Sequence, residues 1–380
     1  MPFFAHPDIL WINAGPSQLS NNVWNIYEYH GEQRNIHLFK YPPLAYFVLG
    51  INFFVVKPLL HKTDYFDNIS DIHSYNEWFE YSGIFQSLFF LKVIFLLADA
   101  GTAILLCNIF KEKSKQIVKY WALSPFAVYA IFMYGQFDII PVAMIIVSLY
   151  FFKIEKYEYS FLFLGIGGML KHFPFMILPV LFISVPVKFW KKCIFALIAI
   201  LPYIILSIAY LNTKSFIDDV ILNSAGYLSS MKIFAGGYGI ILILNFVLTF
   251  FFNFDRFYAF IKFGYLTLIW YLICSEFHPQ FIIWVIPFIY FLINSKNRKY
   301  YYLLILMYFV YINNWGRNST WILFMPLDLE LTLLPSINSA ISNYFNYEII
   351  VKISKYCMNC LLIIFLFSNL RSFNKKKAYV

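Results

Sequence analysis

Four short polar interruptions carry most of the side chains that could do chemistry in this apolar chain. They are Tyr41-Pro42-Pro43-Leu44, Gly135-Gln136-Phe137-Asp138, Leu170-Lys171-His172-Phe173-Pro174 and Phe277-His278-Pro279-Gln280-Phe281. An acid at the mouth of a membrane helix is expensive to place, so Asp138 needs a physical reason to be there. Lysine binds phosphate as a flexible point charge, which suits Lys171 at a bend in the chain. His172, His278 and Gln280 add groups that hydrogen-bond hydroxyls, and Asp8, in His6-Pro7-Asp8, is a carboxylate able to take a proton.

Each residue also has a plainer reading. Lys171 and His172 would snorkel at an interface. Asp138 would cap the helix that follows it. His278 would simply precede Pro279 in a first helical turn. Asp8 would be a solvated loop residue. Asp99 differs, because it falls deep inside the apolar run 84–110. An unpaired charge there costs several kcal/mol, so it needs a partner within the bundle, and a structural tie is favoured over catalysis.

The elements that must position these groups are membrane helices. The chain has 380 residues, 61% hydrophobic and 13% charged, with a mean hydropathy of +0.66. Soluble domains hold about 45–50% apolar and about 25% charged residues. The net charge of +9 does not form a nucleic-acid face, because the lysines gather in loops at 111–119, 188–192, 296–299 and 371–377. Such loops are expected on the cytoplasmic side.

Apolar segments lie near 84–110, 117–134, 138–152, 160–187, 193–211, 238–254, 258–275, 277–293, 300–314 and 353–370. A bilayer core takes about 20 helical residues, so several of these are short or broken. The pattern predicts an all-α integral membrane protein with about ten membrane helices or half-helices. Residues 1–83 are expected to form an extracytoplasmic region whose segment 41–60 grazes the membrane, and 84–380 the multi-spanning domain. The acidic strip 64–80 fits the external side, but its spacing does not match a calcium loop. The run 160–187 reads as a hairpin broken at Lys171–Pro174, and 321–352 as an external or interfacial element. The five cysteines sit in or beside apolar segments, and no metal site is expected.

Taken in order, these interruptions resemble the GT-C superfamily of membrane glycosyltransferases that use polyprenyl-phosphate sugars. They are most similar to bacterial and archaeal relatives of the first mannosyltransferase of GPI-anchor synthesis. Tyr41-Pro42-Pro43-Leu44 resembles an external family segment, Leu96-Leu97-Ala98-Asp99 its Ala-Asp-Leu stretch, and Gly135-Gln136-Phe137-Asp138 its Gly-Gln-Phe-Asp. Leu170 to Pro174 matches its lysine-containing break, and His278 to Trp284 resembles its late Gln-Tyr-Phe-Leu-Trp motif. The resemblance covers roughly residues 1 to 300.

It implies a GT-C-like helical bundle with an extracytoplasmic active site and no cofactor; the basic loops fit either a bacterial plasma membrane or an endoplasmic reticulum membrane, and the abundance of Phe, Ile, Lys and Asn favours the bacterial one. The partners it implies are a polyprenyl-phosphate-linked sugar donor, a lipid or glycan acceptor and membrane lipids, with no nucleic acid. It further implies that an external Asp is the general base. The family's Asp follows a first membrane helix; here no apolar span precedes Tyr41, and Asp8 is the Asp available. Asp138, Lys171, His172, His278 and Gln280 are then expected to bind substrate, while Asp99, Tyr41 and Pro42 are structural. A lipid-linked sugar transporter or an inactive homologue is the competing expectation.

Overall fold

Long runs of Ile, Leu and Phe satisfy their backbone groups most simply as helices, and every regular element among the described residues is helical. The computed structural model describes residues 2–32, 39–61, 63–66, 83–222, 228–251, 254–275, 277–342 and 344–367. Asp67, Asp71, Glu77, Glu80, Glu276 and the basic tail 371–377 lie outside them.

The amino-terminal part holds α1 (Asp8–Ser17), α2 (Ile26–Glu32) and α3 (Pro43–Val56). Then come α4 (Ile84–Ile109), α5 (Ser114–Ala122), α6 (Ile139–Lys153), α7 (Tyr157–Leu170), α8 (Leu178–Ser184) and α9 (Phe189–Ile208). The chain continues through α10 (Leu228–Phe250), α11 (Arg256–Cys274), α12 (Ile282–Leu292), α13 (Arg298–Ile312), α14 (Ile337–Ser342) and α15 (Tyr347–Phe367). Among the described residues, α4, α9, α11 and α15 are long and apolar enough to cross a membrane, the profile of a helical membrane protein. Further apolar helices, including α6 and α12, are shorter.

The sequence breaks where its chemistry forces it to. The expected continuous run 117–134 is interrupted after α5, because Pro125 supplies no amide for a continuing helix. Ser124 Oγ accepts from Ala127 N at 3.2 Å and restarts the helix as Pro125–Ala127. That piece continues as a π-turn over Val128–Met133, widening the coil immediately before Gly135. In the 160–187 run, Lys171 adopts an extended backbone, and a tight 3-10 turn over Phe173–Ile177, with Pro174 in its first turn, leads into α8.

Helices α6 and α7 pack side by side, α7 also lies against α9, and α4 against α6. The α7–α9 contact is close enough that a Cβ on Gly165 would lie 2.3 Å from Ala199 O. Loop contacts sort into two ends. At one end Lys113 donates to Phe291 O (2.8 Å), Gln116 to Ile293 O (3.0 Å) and Lys153 to Ile109 O. There too, Lys192 and Arg256 donate to Ile183 O (3.2 Å) and Val185 O (3.3 Å), supplying partners for carbonyls at the C-terminus of α8. Asp8, Asp138 and Lys171, among the residues singled out as chemistry-bearing, lie elsewhere, Asp138 at the opposite end of α6 from Lys153.

Candidate active site

Two aspartates sit at this other location in different environments. Asp138 precedes α6 without capping it, since its side chain accepts no hydrogen bond from that helix. Its oxygens instead accept from Lys171 Nζ at 2.9 and 2.8 Å and from Trp284 Nε1 at 2.6 Å. With three donor contacts and 1% of its side chain exposed, this carboxylate has little capacity left for a ligand. Lys171 retains some access, at 16% exposure, and stands 5.4 to 5.9 Å from the ring centres of Tyr41, Phe137, Phe281 and Trp284. Trp284 is itself held between Phe173 (3.9 Å) and Phe281 (4.3 Å), both stacked. The ion pair and its rings thus bind the start of α6, the hairpin break and the start of α12 to the loop before α3.

Asp8 opens α1, with its side chain 36% exposed. Gln136 Nε2 donates to Asp8 Oδ2 at 2.5 Å, and His6 Nδ1 lies 3.1 Å from Oδ1. The same Nδ1 is 3.1 Å from the Asp8 amide, so it serves one of them at a time: the carboxylate when protonated, the amide when not. Burial pushes the Asp8 carboxyl up, but the charge and hydrogen bond of His6, followed by the charges of His278 and Lys171, outweigh it. The carboxyl therefore lies below its ordinary value. The charges of Lys171 and His278 thus bear on Asp8, and Gln136, which holds Asp8, lies two residues before the Asp138 that pairs with Lys171.

The segment before Asp8 is sewn down from both sides. The His6 ring stacks on Tyr134 at 3.8 Å and 15°. Tyr134 N donates to Tyr129 O at 2.8 Å, the five-residue reach of the π-turn. Lys92, fully buried on α4, donates to Phe4 O (2.5 Å) and Phe132 O (2.6 Å), while Ala5 N donates to Leu323 O (3.0 Å). Gly135 turns the chain out of the π-turn with φ +73°; a Cβ there would also lie 3.2 Å from Ile9 Cδ1 and 3.3 Å from Lys92 Cε.

The remaining expected residues divide. His278 packs its ring against Trp315 (4.6 Å) and Phe281 (5.1 Å), on the Asp8 side. Gln280 Oε1 is buried without a hydrogen-bond partner, as are Gln136 Oε1, His6 Nε2 and Trp315 Nε1. His172 Nε2 instead pairs with Tyr203 OH on α9 at 2.9 Å. Tyr41 lays its ring edge on Phe137 (4.7 Å), its carbonyl accepts from Tyr27 OH (2.7 Å), and Pro42 leads into α3. Asp99 accepts from Trp121 Nε1 on α5 at 2.8 Å, remote from Asp8 in these contacts.

Sequence reasoning passed over Lys92, His6 and Gln136. A lysine inside an apolar run carries the same signal that drew attention to Asp99, and Gln136 stood inside a motif already noted. Among the described residues no trio of His, Cys, Asp or Glu is placed to hold a metal. A cavity of about 450 Å³, lined by Tyr129, Met133, Phe309, Trp321, Leu323 and Phe324 among others, backs onto the π-turn and is almost wholly apolar. Comparison with protein-family models, curated proteins and solved structures found no match to this chain.

Proposed function

We propose that this protein is an inverting glycosyltransferase of the GT-C kind, moving a hexose, most plausibly mannose, from a polyprenyl-phosphate donor to an acceptor hydroxyl. The observation that carries the reading is that Gln136 joins the partly open Asp8 to the loop whose Asp138 pairs with Lys171, so a carboxylate-favoured Asp8 lies under the influence of the Lys171 and His278 charges. In the proposed step the acceptor oxygen attacks the anomeric carbon and its proton passes to Asp8. The bond from that carbon to the phosphate oxygen breaks, leaving its electron pair on the phosphate. Direct displacement inverts the anomeric centre.

Lys171 would meet the negative charge developing on the phosphate, where a preorganised cation in a partly dry site is most effective. Asp138 would act through Lys171, fixing the ammonium group, and His278 and Gln280 would orient hydroxyls. About ten helices and half-helices would carry this site at the extracytoplasmic face, with the basic loops in the cytoplasm.

Purified protein in detergent, given polyprenyl-phosphate mannose or glucose and a host lipid extract, tests the reading. Transfer that disappears in Asp8→Asn supports both the reaction class and the base. Transfer untouched by Asp8→Asn moves the base elsewhere. Folded protein that consumes neither donor counts against the proposal.

A further inference from the structure

We propose that His6 and Gln136 are positioning residues for Asp8, each engaging one carboxylate oxygen and thereby fixing the lone pair that faces the acceptor. This inference rests on the transferase reading for its kinetic consequence. A carboxylate offers about four lone-pair sites. With its Nδ1 protonated, His6 addresses Oδ1 while Gln136 Nε2 addresses Oδ2, leaving capacity on each oxygen in a side chain that is 36% exposed. Asp138, by contrast, is nearly closed off by Lys171 and Trp284. The two aspartates thus have their roles set by environment: one held open, the other occupied.

The positioning groups are themselves anchored. The His6 ring is stacked on Tyr134, whose amide is held by the π-turn, and Gln136 is one residue beyond the positive-φ Gly135 that ends the same feature. Lys92 ties Phe4, two residues before His6, to Phe132 within the π-turn. The widened turn therefore sets the ring, the amide and the peptide that together orient one carboxylate. Local π-turns often mark functional sites, and here the consequence of the extra residue can be named.

The test compares wild type, His6→Ala, His6→Asn and Gln136→Ala as full-length protein in detergent, with polyprenyl-phosphate mannose and a host lipid extract. Asparagine keeps an amide donor near the position of Nδ1. In His6→Ala and Gln136→Ala, kcat falls about 10- to 100-fold, as for a misplaced reacting group. The donor KM stays within about twofold, because ground-state binding is not what is lost. His6→Asn recovers most of the rate.

In parallel, carbodiimide labelling of Asp8 is followed against pH by peptide mass spectrometry, and its midpoint rises in His6→Ala. Unchanged kcat together with an unchanged midpoint overturns the proposal. So does a rate loss that His6→Asn fails to recover and that KM shares. If wild type transfers no sugar while the midpoint still shifts, the transferase reading fails and the control of Asp8 by His6 stands.

Discussion

Asp8 carries the most direct residue-scale consequence. Its carboxyl is held below the ordinary range because His6, His278 and Lys171 outweigh the opposing effect of burial. A lowered folded-state value means that ionised Asp8 favours the folded protein at neutral pH, a contribution lost as pH falls through that lowered value. The acid limb of transfer activity should accordingly lie below the usual carboxylate range and move upward in His6→Ala; a limb at the ordinary position in wild type would contradict the geometry. Asp138 and Lys171 behave differently, because they are buried partners. Removing either alone, as Asp138→Asn or Lys171→Met, should cost about 3–5 kcal/mol, since the other charge is left uncompensated. The double variant should cost less than the sum, with a coupling of about 0.5–3 kcal/mol, read by graded SDS unfolding in mixed micelles. Strict additivity would mean that the pair is not the brace between the hairpin break and the start of α6.

At the scale of elements, two glycines decide whether the scaffold can form. Gly135 combines φ +73° with contacts of 3.2 and 3.3 Å awaiting any Cβ, from Ile9 and Lys92. Gly135→Ala should therefore destabilise by about 1–3 kcal/mol and loosen the turn that sets Gln136. Gly165→Ala should cost a comparable 1–3 kcal/mol, roughly, because the new methyl meets backbone atoms of Ala199 instead of a side chain that can swing away. Both are checked by thermal unfolding in detergent, and a Gly165→Ala protein as stable as wild type would place the helices further apart than described. These elements were unevenly legible beforehand. The break at Lys171 could be read from a lysine and a proline interrupting an apolar run. The π-turn could not, since its residues, Val128 to Met133, form an ordinary apolar stretch and its width depends on tertiary contacts such as Lys92 to Phe132. The Asp138 environment was likewise hidden, because Trp284 arrives from 146 residues away.

The whole molecule adds a constraint that no single motif supplies. Lysine clusters predict which loops share a side, and the contacts among described residues sort in the same way. Loop 111–116 meets 291–293, Ile109 meets Lys153, and 183–185 meets Lys192 and Arg256. Asp8, Gln136, Asp138, Lys171 and Trp284 form a separate group. Lysines and the arginine of these loops themselves make most of the contacts, so charge bias and packing assign the same loops to one side. Their agreement predicts sidedness. In a cysteine-free background, a single cysteine at the exposed Lys115 should react with a membrane-impermeant maleimide only after the cells are opened. One at the exposed Asp328 should react in intact cells, because its segment supplies Leu323 O to Ala5 beside the Asp8 site. The reverse pattern would put the Asp8–Lys171 site on the cytoplasmic face, where a soluble nucleotide sugar could reach it and the case for a lipid-linked donor would weaken. Labelling of both positions from one side would instead break the link between basic loops and packing, and with it the arrangement of helices on which the site depends.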